Sequence, residues 1–365
     1  MLKPANVSAP AKLVLTGEYA VLEPDELAVV AAVDRFTEAR VEPAAQMLLT
    51  APALDLKEAL AGYAKGRWSL AAPHAKASFV TEALSVTLSY LEEGGTAIAP
   101  FHLAISPALA EAGVKIGLGG SAATTVAVVG AVLKAFGNAA DPGVVYRLAA
   151  IAHLRAQGSG SGIDVAASAF GGVLAFSSHH PAWLAQRVAQ TPSIRAVVEA
   201  PWPHLRIEPL PWPADWQLLA GWTGTSASTP EFLSKVEQLK AGGGPGYPAF
   251  LEAMRDSSRT LIAGLKAADA EACRSALLRG REAMLTLGHA LGIPLETPDL
   301  ARLADSAVAC GTAGKPSGAG GGDCGIAFAF DSDQATCVKE GWEDVAIRPL
   351  RLSIAFRGLS TPSVG

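Results

Sequence analysis

Near the N-terminus, apolar side chains come in short runs or alternate with polar ones. Leu13 to Leu15, Ala28 to Val33 and Thr37 to Val41 read as strands, with the acidic segment Glu23 to Glu26 as a turn between the first two. From Ala77 to Leu91 the spacing of Phe79, Ala83, Leu84, Val86, Leu88 and Leu91 is helical, and Phe101 to Ile105 alternates like a strand. Small and apolar residues from Ser121 to Phe136 predict a helix buried on most sides. Asp141-Pro142 is a helix start, cap followed by proline, for a helix running to about Ala156. Gly172 to Phe176 follows as a strand. Further on, the pattern predicts helices at about 229–241, 248–266, 268–291 and 297–310, with strands near 216–222, 324–330 and 348–355. The stretch 178–215, rich in His, Pro and Trp, reads as a domain boundary or irregular crossover. An α+β chain in two units follows, 1–180 and 181–365.

Composition narrows the function. Of 365 residues half are hydrophobic and 17% charged, which suits a compact globular protein. A formal net charge of -5 with no block of Lys and Arg argues against nucleic acid as partner. No apolar run approaches the ~20 residues of a membrane span, and the N-terminus lacks the apolar core of a secretory signal. The scattered Cys273, Cys310, Cys324 and Cys337 have no zinc spacing, so reduced thiols in a soluble, cytoplasmic protein are expected.

Four segments carry candidate chemistry. In VKIGLGGSAA, Gly117, Leu118, Gly119, Gly120, Ser121 and Ala122 stand directly before a helix. Glycines there let backbone N–H groups approach a bound anion, and the helix N-terminus adds partial positive charge. Ser121 can cap that helix or turn its hydroxyl to a phosphate-bound Mg²⁺. A glycine turn that merely starts a buried helix explains the segment equally well. It is not a Walker loop, since Gly314-Lys315-Pro316 breaks that pattern. A dinucleotide fingerprint also fails, because Asp141 begins a helix where a strand should end.

In QGSGSGIDVAASAFGG, Asp164 can take a hydroxyl proton, hold a metal, or cap a short helix; taken alone, the cap is the commoner role. In KPSGAGGGDCG, four glycines in five positions form a loop between a helix and an apolar strand, suited to close contact with a ligand. In SAPAKLVLTGEY, Lys12 enters a strand among apolar neighbours, where an unpaired ammonium is costly. It pairs with a carboxylate or a phosphate, or lies on an edge strand in water.

Taken together and in this order, SAPAKLVLTGEYAVL, KIGLGGSAATT and KPSGAGGGDCG resemble the three motifs of the GHMP kinases and span nearly the whole chain. The middle motif, commonly PxxxGLGSSAA in the family, here lacks its proline and has Gly120 for its first serine. The resemblance implies a GHMP kinase fold: an N-terminal ribosomal protein S5 domain 2-like domain that binds ATP, and a C-terminal ferredoxin-like α/β-plait domain that completes the acceptor site. It implies ATP and Mg²⁺ as cofactors. Within the superfamily, GEYAVLEPDELAVVAAVDRF, AHLRAQGSGSGIDVAASAFGG and GWTGTSASTPEFLSKV resemble the phosphomevalonate kinases. Mevalonate kinases place a metal-binding glutamate eleven residues before the catalytic Asp, and His153 stands there instead.

By this resemblance Asp164 and Lys12 are catalytic, and the loop 117–120 with Ser121 and Ala122 holds the ATP phosphates, Ser121 also reaching Mg²⁺. Glu18, Tyr19, Ser161, Gly162, Ser226, Gly320 and Gly321 bind the acceptor, phosphomevalonate. Arg155 and Lys115 are candidate partners for its phosphate, while Thr229 caps the helix that follows it. The expected assembly is a monomer or homodimer. Competing readings are a sister kinase for mevalonate, homoserine or a sugar, the related diphosphomevalonate decarboxylase, and a catalytically silent ligand sensor. Retention of both Lys12 and Asp164 speaks against the sensor.

Overall fold

The computed structural model describes residues 2–362 apart from 107–109, 112–113, 226–228 and 245, with the backbone alone at 110–111, 114–115 and 229–230. The first half runs β1 (Ala5–Thr16), β2 (Ala28–Pro43), β3 (Met47–Ala51), β4 (Leu56–Ala64), β5 (Arg67–Leu70), α1 (Ser78–Glu93), β6 (Phe101–Ser106), β7 (Ala110–Glu111), β8 (Val114–Lys115), α2 (Gly120–Ala135), α3 (Pro142–Gln157), α4 (Ile163–Phe170) and β9 (Val173–Ser177). It continues through α5 (Pro181–Gln190), α6 (Ile194–Glu199) and β10 (Arg206–Leu210). The remainder is β11 (Gln217–Trp222), α7 (Thr229–Ala241), α8 (Gly246–Ala267), α9 (Ala270–Leu291), α10 (Pro298–Ala309), β12 (Ala313–Pro316), β13 (Cys324–Ala329), α11 (Ser332–Asp344) and β14 (Arg348–Leu350).

Two sheets organise these elements, and the expected α+β arrangement is observed. Among the described residues the larger sheet has eight strands in the order β10-β9-β2-β6-β3-β4-β5, with β1 also paired to β2. The second has the order β12-β13-β11-β14 and is antiparallel throughout. Helices α1 to α4 pack together beside the large sheet, and α9, α10 and α11 pack on the small one.

The two strands expected at 28–33 and 37–41 are one. β1 pairs with β2 from Val29 to Val41, and a register shift takes up Asp34 and Arg35, so that Pro10 faces Phe36 while Ala11 faces Val33. The bulge hides the continuity from a reading of alternation alone. The crossover expected to be irregular at 178–215 is ordered: it holds α5, α6 and β10, and β10 pairs with β9 of the large sheet. The strand expected at 348–355 stops at Leu350; beyond it Ile354 bridges Val33.

The helices follow from local chemistry. Asp141 accepts hydrogen bonds from the N–H groups of Gly143 and Val144 at 3.0 and 3.1 Å, Pro142 opens α3, and Gly158 at φ 81° ends it. Losing such a cap costs about 1 kcal/mol. Helix α2 is lined with Ala, Val and Gly, which lets it pass between the sheet and its neighbours. Val126, Val128, Val129 and Val132 are wholly buried, each worth about 1.5–3 kcal/mol. A β-carbon on Gly130 would come within 2.4 Å of Leu359, so Gly130→Val would break this packing.

After β14 the chain returns to the large sheet. Asp34 and Ser353 exchange hydrogen bonds, Gly172 N–H donates to Ala355 at 2.7 Å, and Leu359 N–H donates to Ala169 at 3.2 Å. Ser360 and Ser8 pair through both backbone groups. Gly171 and Gly358 pack backbone to backbone, with no room for a side chain on either.

The expectation of four reduced cysteines is corrected. Cys310 and Cys337 form a disulfide, while Cys273 and Cys324 are free and buried. Packing of α10 against α11 brings the two Cα atoms to 5.9 Å, and a sequence separation of 27 gave no local sign of it. Among the described residues no helix is long and apolar enough to cross a membrane.

Candidate active site

The glycine loop between β8 and α2 takes its shape from positive φ at Gly117 (72°) and Gly119 (78°). Gly119 is the N-cap of α2, and no side chain caps it. The role of cap considered for Ser121 is therefore not the observed one. The first N–H groups of α2 are left to meet a ligand, in the manner of anion sites at helix N-termini.

Lys12 lies across this loop. Its backbone N–H donates to Leu118, and its Nζ donates to the Gly117 carbonyl at 3.2 Å. The aliphatic stem crosses Gly119 so closely that a β-carbon there would sit 2.9 Å from Cγ. Among the described residues the hydrogen-bond partner of the ammonium is this carbonyl. Ala122 is buried beneath the loop.

On the other side of the α2 N-terminus, α4 carries Asp164 in its first turn. The N-cap of α4 is Gly162, so the capping reading of Asp164 does not hold. Asp164 Oδ1 accepts from Val165 N–H at 2.9 Å, and Oδ2 lies 3.8 Å from His153 Nε2. That same nitrogen is 3.4 Å from Ser121 Oγ. Ser161 accepts from Ile163 N–H, and its carbonyl accepts from Ser178. A β-carbon on Gly162 would meet the Tyr146 hydroxyl at 2.9 Å. Burial, and then the charge of Asp164, hold the Tyr146 phenol well above its usual range. Its oxygen lies 3.1 Å from Nδ1 of His179, whose imidazole burial, with His180 nearby, pushes down to about 4.

The loop 317–323 is the third segment at the site. Its glycine run begins only at Gly318, because Lys315 and Pro316 end β12. Lys315 Nζ donates to Glu18 Oε1, both side chains being buried, while Gly318 N–H reaches the same oxygen at 3.4 Å. Glu18 Oε2 is buried without a hydrogen-bond partner among the described residues. Tyr19 donates to the Ala319 carbonyl at 2.6 Å. Gly320 packs on the Leu295 carbonyl, which accepts from Gly321 N–H at 2.7 Å. Asp323 then lies on Gly117, and its backbone is held by Thr223 and Thr225. Cys324 donates to the Ile116 carbonyl at 3.0 Å, and burial followed by the charge of Asp323 pushes its thiol up to about 12.

The structure thus gathers Lys12, the loop 117–122 and Asp164 around the N-terminus of α2, with Ser161 and Gly162 at the start of α4. Glu18, Tyr19, Gly320 and Gly321 are tied into the third loop instead. Ser226 lies outside the described residues, as do the side chains of Lys115 and Thr229, and Arg155 is exposed on α3. Sequence reasoning did not find the bridging place of His153, the Glu18–Lys315 pair or the contact of Asp323 with Gly117. Asp323 did carry a signal in the sequence, an acid placed directly after a run of glycines; in the fold it adopts φ 56°.

Comparisons with known proteins give the family. The model of the GHMP kinase N-terminal domain matches residues 79–172, and that of the GHMP kinase C-terminal domain matches 261–347. A phosphomevalonate kinase of Streptomyces sp. (strain CL190) is 34% identical over 367 residues, covering 96% of this chain and 97% of that protein. The crystal structure of a Lin0012 protein from Listeria innocua superposes with a TM-score of 0.91 at 32% identity, over 99% of this chain and 100% of that one. Streptococcus pneumoniae phosphomevalonate kinase, solved with phosphomevalonate and AMPPNP, shares the fold at a TM-score of 0.85 and 24% identity, over 96% and 99% of the two chains. With a relative this similar along its whole length, and with both domains matched in order, the chain belongs to the GHMP kinases.

Proposed function

We propose that this GHMP kinase is a phosphomevalonate kinase, transferring the γ-phosphoryl group of ATP to the phosphate of mevalonate 5-phosphate. The observation that carries the reading is 34% identity, end to end, with a phosphomevalonate kinase. A phosphate oxygen of the acceptor bonds to the γ-phosphorus as the bond to the β,γ-bridging oxygen breaks. The products are 5-diphosphomevalonate and ADP, and any proton on the attacking oxygen passes to Asp164 or to water.

Positioning and electrostatics supply most of the catalysis in such a reaction. The α2 N-terminus and loop 117–120 hold the ATP phosphates. Lys12 Nζ, which bonds the Gly117 carbonyl of that loop, would meet the charge that shifts during transfer. Asp164 aligns the acceptor. Asp164 and Ser121 offer the hard oxygen donors that Mg²⁺ prefers, the nucleotide supplying others. When bound, the ion neutralises charge on the phosphates. The unpartnered Oε2 of Glu18 supports its place in the acceptor site, beside Tyr19, Gly320 and Gly321. Residues 1–180 would then bind the nucleotide and 181–365 complete the acceptor site, although β10 extends the first sheet to Leu210. A cytoplasmic location and a monomeric or homodimeric state belong to the same proposal. Under reducing conditions the Cys310–Cys337 bridge would open, on helices that carry none of the site residues.

The test is ADP release with ATP and Mg²⁺ against mevalonate, mevalonate 5-phosphate, its diphosphate, homoserine and galactose. Turnover on mevalonate 5-phosphate alone, with a diphosphate product by mass, is expected. Turnover on another acceptor would move the chain to a sister activity. Asp164→Asn should lower kcat at least about 100-fold; an unchanged kcat would remove Asp164 from the mechanism.

A further inference from the structure

Three side chains from three helices meet beside the N-terminus of α2: Ser121 from α2, His153 from α3 and Asp164 from α4. His153 is 6% exposed, and the Phe79 ring packs against it with centroids 4.8 Å apart. Its Nε2 faces both Ser121 Oγ and Asp164 Oδ2. The reading above gives His153 no task. A buried imidazole held between a phosphate-loop hydroxyl and the acceptor-facing carboxylate is nonetheless placed to set the angle between them.

We propose that His153 is a positioning residue for phosphoryl transfer, fixing the Asp164 carboxylate relative to Ser121 without touching either substrate. The inference rests on the kinase reading above. Val165 N–H anchors only Oδ1 of Asp164, which leaves the turn of the carboxylate to what meets Oδ2. Phe79 blocks the flank of the ring and so limits its rotation. The 3.8 Å separation from Asp164 exceeds a hydrogen bond, and contacts of this kind commonly tighten once substrates bind. A shift of about 1 Å in a reacting group can cost on the order of 100-fold in rate, so an orienting contact has a large effect available to it.

The test is a double-mutant cycle in the kinase assay. His153→Leu should lower kcat about tenfold, with KM for both substrates within about twofold. His153→Gln, whose amide can still donate, should recover most of that loss. In an Asp164→Asn background His153→Leu should cost less than about twofold, because the group it positions has gone. Equal losses in both backgrounds, or a Gln variant as slow as the Leu variant, would overturn the proposal.

Imidazole ¹⁵N spectra decide the contact without turnover. The His153 signal should move in Asp164→Asn while that of His102 stays. A shift at His153 no larger than at His102 overturns the proposal. If the wild-type chain transfers nothing, the kinase reading fails and these spectra still settle whether His153 and Asp164 are coupled.

Discussion

Asp323 rests directly on Gly117: a β-carbon added to that glycine would lie 2.6 Å from Cβ of Asp323 and 2.7 Å from its carboxyl carbon. The third glycine loop is thereby docked on the first, across the two halves of the chain. Gly117→Ala must displace either Asp323 or the phosphate loop, and it also places a side chain at φ 72°. The expected result is a rise in KM for ATP of about tenfold, with about 1–3 kcal/mol of lost stability. The double variant Gly117→Ala/Asp323→Gly should recover part of the KM. No recovery in steady-state kinetics would mean that backbone strain, not the clash, is responsible.

The buried pair of Lys315 and Glu18 should be costly to break from one side. Lys315→Met leaves Glu18 as a buried charge without its ammonium, a change worth about 3–5 kcal/mol in comparable pairs. Adding Glu18→Leu should restore much of that stability, since an apolar pair has no charge to desolvate. Urea unfolding of the wild type, the single and the double variants tests this. A double variant no more stable than Lys315→Met would refute the argument.

Acid should destabilise the fold through His179. Its folded-state value of about 4 lies below the unfolded value near 6.5, so the unfolded chain binds the proton first. The contribution of His179 is intact above about pH 6.5 and is lost as pH falls towards 4, by up to about 3 kcal/mol. His179→Gln, which can still accept from Tyr146, should flatten this part of the curve. Unfolding free energies at pH 7, 6 and 5 give the slope; identical slopes for the two proteins would remove His179 as the cause.

Thiol chemistry should be silent in the native state. Burial raises Cys273 and Cys324 alike to about 12, so almost no thiolate is present at pH 8. Ellman's reagent should find no reactive thiol before denaturation and two afterwards, with Cys310 and Cys337 joined. Four after denaturation without reductant would mean that the bridge had not formed. Rapid native labelling of Cys324 would mean that the phosphate loop beside it opens.

Elements defined by near neighbours were legible in the sequence. Asp141-Pro142 announced α3 because a cap and its helix are local, and the spacing from Phe79 to Leu91 announced α1 for the same reason. The glycine loop could be seen as a unit, yet its meaning depended on Lys12 and Asp323, far away along the chain. The union of 28–33 with 37–41 was hidden because the partner strand β1 absorbs the two intervening residues. At 178–215 the Pro and Trp residues suggested irregularity. In the fold Trp183 and Trp202 meet edge to face beside His179, and the segment is a folded edge. Glu18 and Lys315 lie 297 residues apart and Cys310 and Cys337 27 apart, and no local pattern records such meetings.

The return of residues 353–360 to the large sheet sets an order of events during synthesis. Helix α4, which carries Asp164, is flanked at its C-terminal end by Gly358 and Leu359, which are made long after it. A ribosome that has finished every strand of the large sheet still holds a chain whose Gly171 faces water and whose Ser8 lacks its partner. The Gly358 and Leu359 contacts fall on the last turn of α4, away from Asp164 in its first turn, and the helix itself packs on α2, α3 and β1. Protease resistance of α4 in chains stalled before and after residue 360 would reveal that order, and equal resistance in both would deny it.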